Sequence, residues 1–246
     1  MKVHQDMAAA MQAVGFNFQR GKRLWVRFAI DPEKVALKSA EWAATLGTTL
    51  EPWRRQDRHQ RGLPTAAAVC GPGFGSGGSK LEVVLMATEF VRGTSPDSPW
   101  GRQQWNDRLP EFGSFVMVRE QNNQRKVTWT WRLQDHELHG RTRYLSSLVK
   151  SRDAAGVRNE CEAWRNVYPM WSGIRRQLQS LLRSAMKLWT ACHSTPWPSI
   201  TPNDLPPMIG FRAGGTARRR KPVADDAALT LYSAVEGRTR EKSAPT

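Results

Sequence analysis

Apolar residues near the start of the chain recur at helical spacing. Residues 4–14 (HQDMAAAMQAV) predict a short helix ended by Gly15. Across residues 23–30, Leu24, Val26 and Phe28 then alternate with Trp25 and Arg27, the two-residue period of a strand. Asp31, Pro32 and Glu33 read as a cap, a first-turn proline and an acidic first turn. A helix to about Leu46 follows, closed by Gly47. Residues 52–65 are polar and basic and predict a loop or an irregular helix. A glycine-rich break, GPGFGSGGS, spans 71–79. The most apolar run of the chain, LEVVLMATEFV at 81–91, predicts a buried strand.

Residues 93–113 hold three prolines and three glycines and predict a long loop. The clearest local pattern comes next. Residues 114–120 (SFVMVRE) and 126–133 (KVTWTWRL) both alternate around a polar QNNQR, which predicts a β-hairpin. Val127, Trp129 and Trp131 share one face of it, and Thr128, Thr130 and Arg132 the other. From residue 141 the period becomes helical, with helices expected over 142–152, 154–167 and about 171–192. In the last, Trp171, Ile174, Leu178, Leu181, Leu182, Ala185 and Trp189 form a stripe at intervals of three and four. Five prolines in 194–208 exclude a helix there. Beyond Ala213 the composition is that of a mobile tail, with a short helix near 224–235.

These elements predict an α+β protein. Its small antiparallel sheet carries the hairpin near 114–133, and a helical region and a mobile basic C-terminal tail follow. The expected organisation is a mixed α+β region over 1–134, a basic helical region over 141–193, and a Pro-rich connection with a disordered basic tail over 194–246.

Charge changes the picture. The chain has 37 Lys and Arg against 22 Asp and Glu, a formal net charge of +15 over 246 residues. The excess is segregated. Residues 141–193 carry a net +7 and 212–246 a net +4, while 81–140 carry −1. Arginine outnumbers lysine 27 to 10; a guanidinium makes bidentate contacts with phosphate that an ammonium does not, although GC-rich coding skews composition the same way. The three cysteines, Cys70, Cys161 and Cys192, are far apart and form no CxxC pair, so neither a disulfide framework nor a zinc ribbon is indicated. The first eleven residues lack the apolar run of a signal peptide, and no run reaches the length of a membrane span. The expected setting is cytoplasmic, with no membrane partner.

Motifs of chemistry are weak. Gly73 and Gly78 have P-loop spacing, but Ser79-Lys80 reverses the GK[ST] order, and a strand rather than a helix follows. His136 and His139 in DHELH would share a helical face, and Cys161, Cys192 and His193 complete a metal set only on paper, since HExxH is not satisfied. A polar turn between hairpin and helix is the plainer reading of DHELH, and no metal or cofactor is expected. Asp97, Asp107, Glu111 and Glu120 lie in or near the long loop and hairpin, without the (D/E)xK that a PD…(D/E)xK nuclease needs after Pro96-Asp97.

Three basic clusters remain: Arg175, Arg176, Arg183 and Lys187 beside the stripe of the 171–192 helix; Arg218, Arg219, Arg220 and Lys221 in the tail; and Arg54, Arg55, Arg58 and Arg61. A helix with one apolar and one Arg-rich face packs on its domain and presents cations to phosphates. Trp129 and Trp131 would be core if helices cover the hairpin, and would stack unpaired bases if that face stays open. The expected function is non-enzymatic nucleic-acid binding, DNA or RNA, dominated by phosphate contacts. An accessory protein of DNA transfer, replication or partition in a bacterial mobile element fits it, as does a subunit of an RNA-guided complex, with other subunits as further partners. The alternatives are a metal-dependent nuclease or nucleotidyl-transfer enzyme, and a structural subunit that binds an acidic protein.

Overall fold

The protein is described by a computed structural model, which covers residues 1–73, 80–121 and 125–209. The chain divides into two units, Met1–Phe211 and Arg212–Thr246. The second lies outside the described residues, as do Arg218, Arg219, Arg220, Lys221 and the helix expected near 224–235.

Helix α1 (Met7–Gln19) starts where the Asp6 carboxylate accepts a hydrogen bond from the Ala9 N–H at 2.7 Å. It continues through Gly15, which is buried, and does not stop there as the sequence predicts. A glycine inside a helix costs only about 1 kcal/mol, and Val14 and Phe18 on either side are drawn into the core. The stop is Gly21, at φ +91°. There the Lys22 N–H reaches back to the Asn17 carbonyl and the Gly21 N–H to the Phe18 carbonyl, each at 3.1 Å, a Schellman turn.

Four strands, β1 (Lys2–Val3), β2 (Leu24–Ile30), β3 (Ala66–Pro72) and β4 (Leu81–Ala87), form a sheet in the order β1-β3-β4-β2. Only the short β1 pair is parallel. The unbroken apolar run of β4 follows from its central place, because both its faces are covered. Val84 and Met86 pack with α1 and the rest of the main core, while Val83, Leu85 and Ala87 pack with Trp42 and Leu46 of α2 (Val35–Leu46). A single 3-10 turn precedes α2, and Asp31 does not cap it; its carboxylate pairs with Lys34 at 2.7 Å. Gly47 closes α2 in the left-handed conformation, as expected. The basic 52–65 segment contains a regular helix, α3 (Pro52–Gln60), with Pro52 in its first turn.

The second sheet holds β5 (Glu111–Phe112), β6 (Phe115–Gln121) and β7 (Val127–Leu133), in that order. The predicted hairpin is β6–β7, with Phe115 opposite Leu133 and Gln121 opposite Val127. Helix α4 (Asp135–Lys150) follows almost at once, so His136 and His139 lie on its first turns and not in a polar turn. Next come α5 (Ala154–Val167), capped by Asp153 through the Gly156 N–H at 2.8 Å, and α6 (Ser172–Cys192). Fold class is therefore α+β, with two small sheets instead of one. Among the described residues no helix is long and apolar enough to cross a membrane.

All seven positions of the predicted α6 stripe are buried. This helix lies against the free edge of β7 and bonds to it. Gln177 accepts from the Leu133 N–H at 2.8 Å and donates to the Leu133 carbonyl at 3.2 Å, so one amide side chain serves both groups. The Thr130 hydroxyl accepts from the Gly173 N–H at 2.9 Å. A Cβ at Gly173 would fall 2.5 Å from the Trp131 carbonyl oxygen, so only glycine permits this approach. The proline-rich 194–209 segment then returns over α5 and α6. It buries Leu205 and packs Trp197, Ile200 and Ile209 on the same core.

Replacing Gln177 by Ala leaves a buried N–H and a buried C=O on β7 without partners. The expected loss of stability is about 1–3 kcal/mol, read as a lower denaturation midpoint with an unchanged m-value.

Candidate nucleic-acid interface

The α6 cations divide into two pairs. Arg175 is turned inward to the returning chain, where its Nε donates to the Pro206 carbonyl at 3.0 Å and its Nη2 to Leu205 at 3.4 Å. Arg176 pairs with the Glu120 carboxylate and donates to the Gln121 carbonyl at 3.2 Å. Both hold the fold together. Arg183 and Lys187 are exposed, one helical turn apart, and have no ion pair or hydrogen bond among the described residues. They border a shallow groove of about 600 Å³ whose remaining lining is Met186, Thr190, Ala191 and Pro202. A second cleft, about 420 Å³, lies between α4, α6 and the hairpin, with Arg132, Arg176 and Glu120 in its wall. There Glu120 answers both arginines, which leaves less free positive charge than the Arg183–Lys187 groove has.

The α3 cluster divides in the same way. Arg58 donates to the Pro64 carbonyl at 2.9 Å and Arg61 pairs with Asp57 at 3.0 Å. Arg54 is exposed, its guanidinium 5.0 Å from the centre of the Trp53 ring. Arg55 is half-buried, with its Nε buried and without a hydrogen-bond partner among the described residues.

Helices cover the hairpin face that carries the two tryptophans. Trp131 is wholly buried, so it is a core residue with no ring face left for a base. Trp129 is half-buried, edge-on to Phe18, with Arg119 over its ring. Trp53 is the exposed one: at 64% exposure it is the single tryptophan left open among the described residues. Sequence periodicity passed it over because it lies in a polar helix with no stripe to mark it.

Lys22 was also missed. It is only 7% exposed and has no side-chain hydrogen bond or ion pair among the described residues. Burial, with Arg55 and Arg20 close by, holds its ammonium down to about 8 from an ordinary 10.5. The stretch FNFQRGKR at 16–23 carried a signal in retrospect. It sets Phe16 and Phe18 just ahead of the basic Arg20, Lys22 and Arg23 around the glycine that ends α1, and Arg20 stacks on Phe16 at 3.8 Å and Arg23 on Phe18 at 4.5 Å.

The other sequence candidates do not converge. His136 and His139 are exposed on α4, Cys161 is in the core with its thiol pushed by burial up to about 11, and His193 contacts the Val149 carbonyl at 2.7 Å. Among the described residues no three His, Cys, Asp or Glu side chains gather at metal-binding distance. Asp107 pairs with Arg92, Glu111 with Arg27, and Glu120 with Arg132 and Arg176, while Asp97 is exposed on the loop that leads to the buried Trp100. Of the P-loop spacing, Gly78 and Ser79 lie outside the described residues, and the chain re-enters as β4, a strand. Comparison with protein families, curated proteins and solved structures returns no match to this chain.

The lowered Lys22 value sets a pH dependence. Protonation favours the unfolded chain, so the penalty is complete below about pH 8 and fades as pH approaches 10.5. Lys22→Met is therefore expected to melt higher than the natural protein at pH 7 in low salt, by on the order of 1 kcal/mol. The gap should close as pH is raised through that window in a thermal-denaturation series.

Proposed function

We propose that this is a nucleic-acid-binding protein, without catalysis of its own, whose affinity comes from Arg and Lys contacts to phosphates. The observation that carries the reading is the free pair on α6. Arg183 and Lys187 stand exposed, and unpaired among the described residues, on a helix fixed to the core along its whole opposite face. A rigid helix that offers two cations at one-turn spacing beside an apolar groove suits a backbone with sugars and bases next to its phosphates. Arg54 with the open Trp53 gives a second cationic and aromatic patch on the same unit. The tail cluster Arg218, Arg219, Arg220 and Lys221 adds four charges in sequence.

Phosphate-dominated binding does not depend on base identity, so this reading takes DNA and RNA alike as partners. Small basic proteins of this kind serve DNA transfer, replication or partition, or sit within an RNA-guided nucleoprotein complex beside other subunits. A cytoplasmic setting follows from such partners.

The double variant Arg183→Gln/Lys187→Gln removes two phosphate contacts without touching the core. Its affinity for a labelled oligonucleotide is expected to fall about tenfold at low salt, and the slope of log K against log salt to shrink by about two. Arg92→Gln, which breaks one exposed surface pair, should leave both unchanged. Equal binding by the double variant and the natural protein would refute the α6 interface.

A further inference from the structure

We infer, resting on the nucleic-acid binding proposed above, that the partner is a single strand, whose phosphates meet Arg183 and Lys187 and whose unpaired bases stack on Trp53. Each of the two cationic patches adjoins apolar surface. On α6 the groove of about 600 Å³ beside Arg183 and Lys187 is walled by Met186, Ala191 and Pro202, with Thr190 its other polar member. On α3 the Arg54 guanidinium lies 5.0 Å from the centre of the Trp53 ring, and Trp53 is still 64% exposed. A duplex has little use for either surface. Its base faces are stacked inside, and it shows a protein phosphates, sugars and polar base edges. A single strand shows phosphates and also the flat apolar faces of unstacked bases, which aromatic side chains take up beside a basic groove.

Trp53 is placed in solvent by a fixed element. The other ten tryptophans are buried or half-buried, so this one is the exception in a chain that uses the side chain for its core. None of the nine residues of α3 is buried, and so short a helix is marginal without outside support. The support comes at its far end. The Leu63 N–H reaches the Arg58 carbonyl at 2.8 Å and the Gly62 N–H the His59 carbonyl at 3.1 Å, a Schellman turn with Gly62 at φ +66°. The Arg58 Nε then ties the helix to the Pro64 carbonyl, just ahead of β3. Charge on this helix favours a polyanion. Residues 51–61 hold four arginines against Glu51 and Asp57, and Asp57 is taken by Arg61. An acidic protein face would match that charge but lacks the flat apolar rings that a strand sets beside every phosphate.

The test follows the full chain by fluorescence anisotropy with four labelled probes of equal total charge: a mixed-sequence single strand, a duplex, an abasic single strand and poly-glutamate. The natural protein should bind the single strand about tenfold more tightly than any of the other three. Trp53→Ala should lose about tenfold on the single strand and nothing on the abasic strand, while Trp53→Phe keeps most of the affinity. Trp53 is exposed, so neither change threatens the fold. The same exposure makes this indole the one most open to acrylamide quenching, and bound single strand should shield it in the natural protein but change little in Trp53→Phe. Equal affinity for single strand, duplex and abasic strand, unchanged by Trp53→Ala, overturns the single-strand assignment and leaves the α6 phosphate interface standing. A single-strand preference that survives Trp53→Ala overturns the stacking role of Trp53. Binding to poly-glutamate alone overturns both the strand and the nucleic-acid reading, and assigns the surface to an acidic protein.

Discussion

The docking of α6 on the open edge of β7 is the constraint on which the rest depends. An unpaired strand edge invites other chains, and here Gln177, Gly173 and Thr130 satisfy it from within. Those contacts, with the stripe from Trp171 to Trp189, fix both the distance and the rotation of the helix. Rotation decides the fate of every cation on it. Arg175 and Arg176 fall at the margins, where carbonyls and Glu120 await them, and Arg183 and Lys187 fall outside.

Acid placement completes the picture. The acids between the first sheet and α5 are largely spent inside the fold. Glu82 and Glu111 hold Arg27, Glu120 holds Arg132 and Arg176, Glu137 and Glu160 hold Arg141. Burial pushes the Glu82 carboxyl up while Arg27 pulls it back, as expected of an acid committed to one partner. With those acids engaged, the remaining cations on α6 and α3 have nothing to neutralise them within the described residues. The positive surface is thus a result of where the acids went as much as of how many arginines there are.

What could be read from the sequence was local. The alternation of β6 and β7, the stripe of α6 and the left-handed Gly47 each depend on residues a few positions apart, and each is found where the pattern placed it. The end of α1 was misplaced because two glycines were available and only packing chose between them. Trp131 and Trp53 look alike as letters; their opposite exposure is set by helices far away in the chain. The same holds for the basic clusters. That Arg175 would meet residues 205 and 206 depends on contacts across thirty residues or more, which no periodicity records.

The central claim is that free cations on a rigid frame bind a polyanion. Its most direct test is the affinity of the natural protein for labelled single- and double-stranded DNA and RNA, followed by fluorescence anisotropy over a salt series. The account predicts measurable binding at low salt that weakens steeply and linearly in log–log form as salt rises. Absence of binding to every probe at low salt, or affinity that does not change with salt, would contradict it.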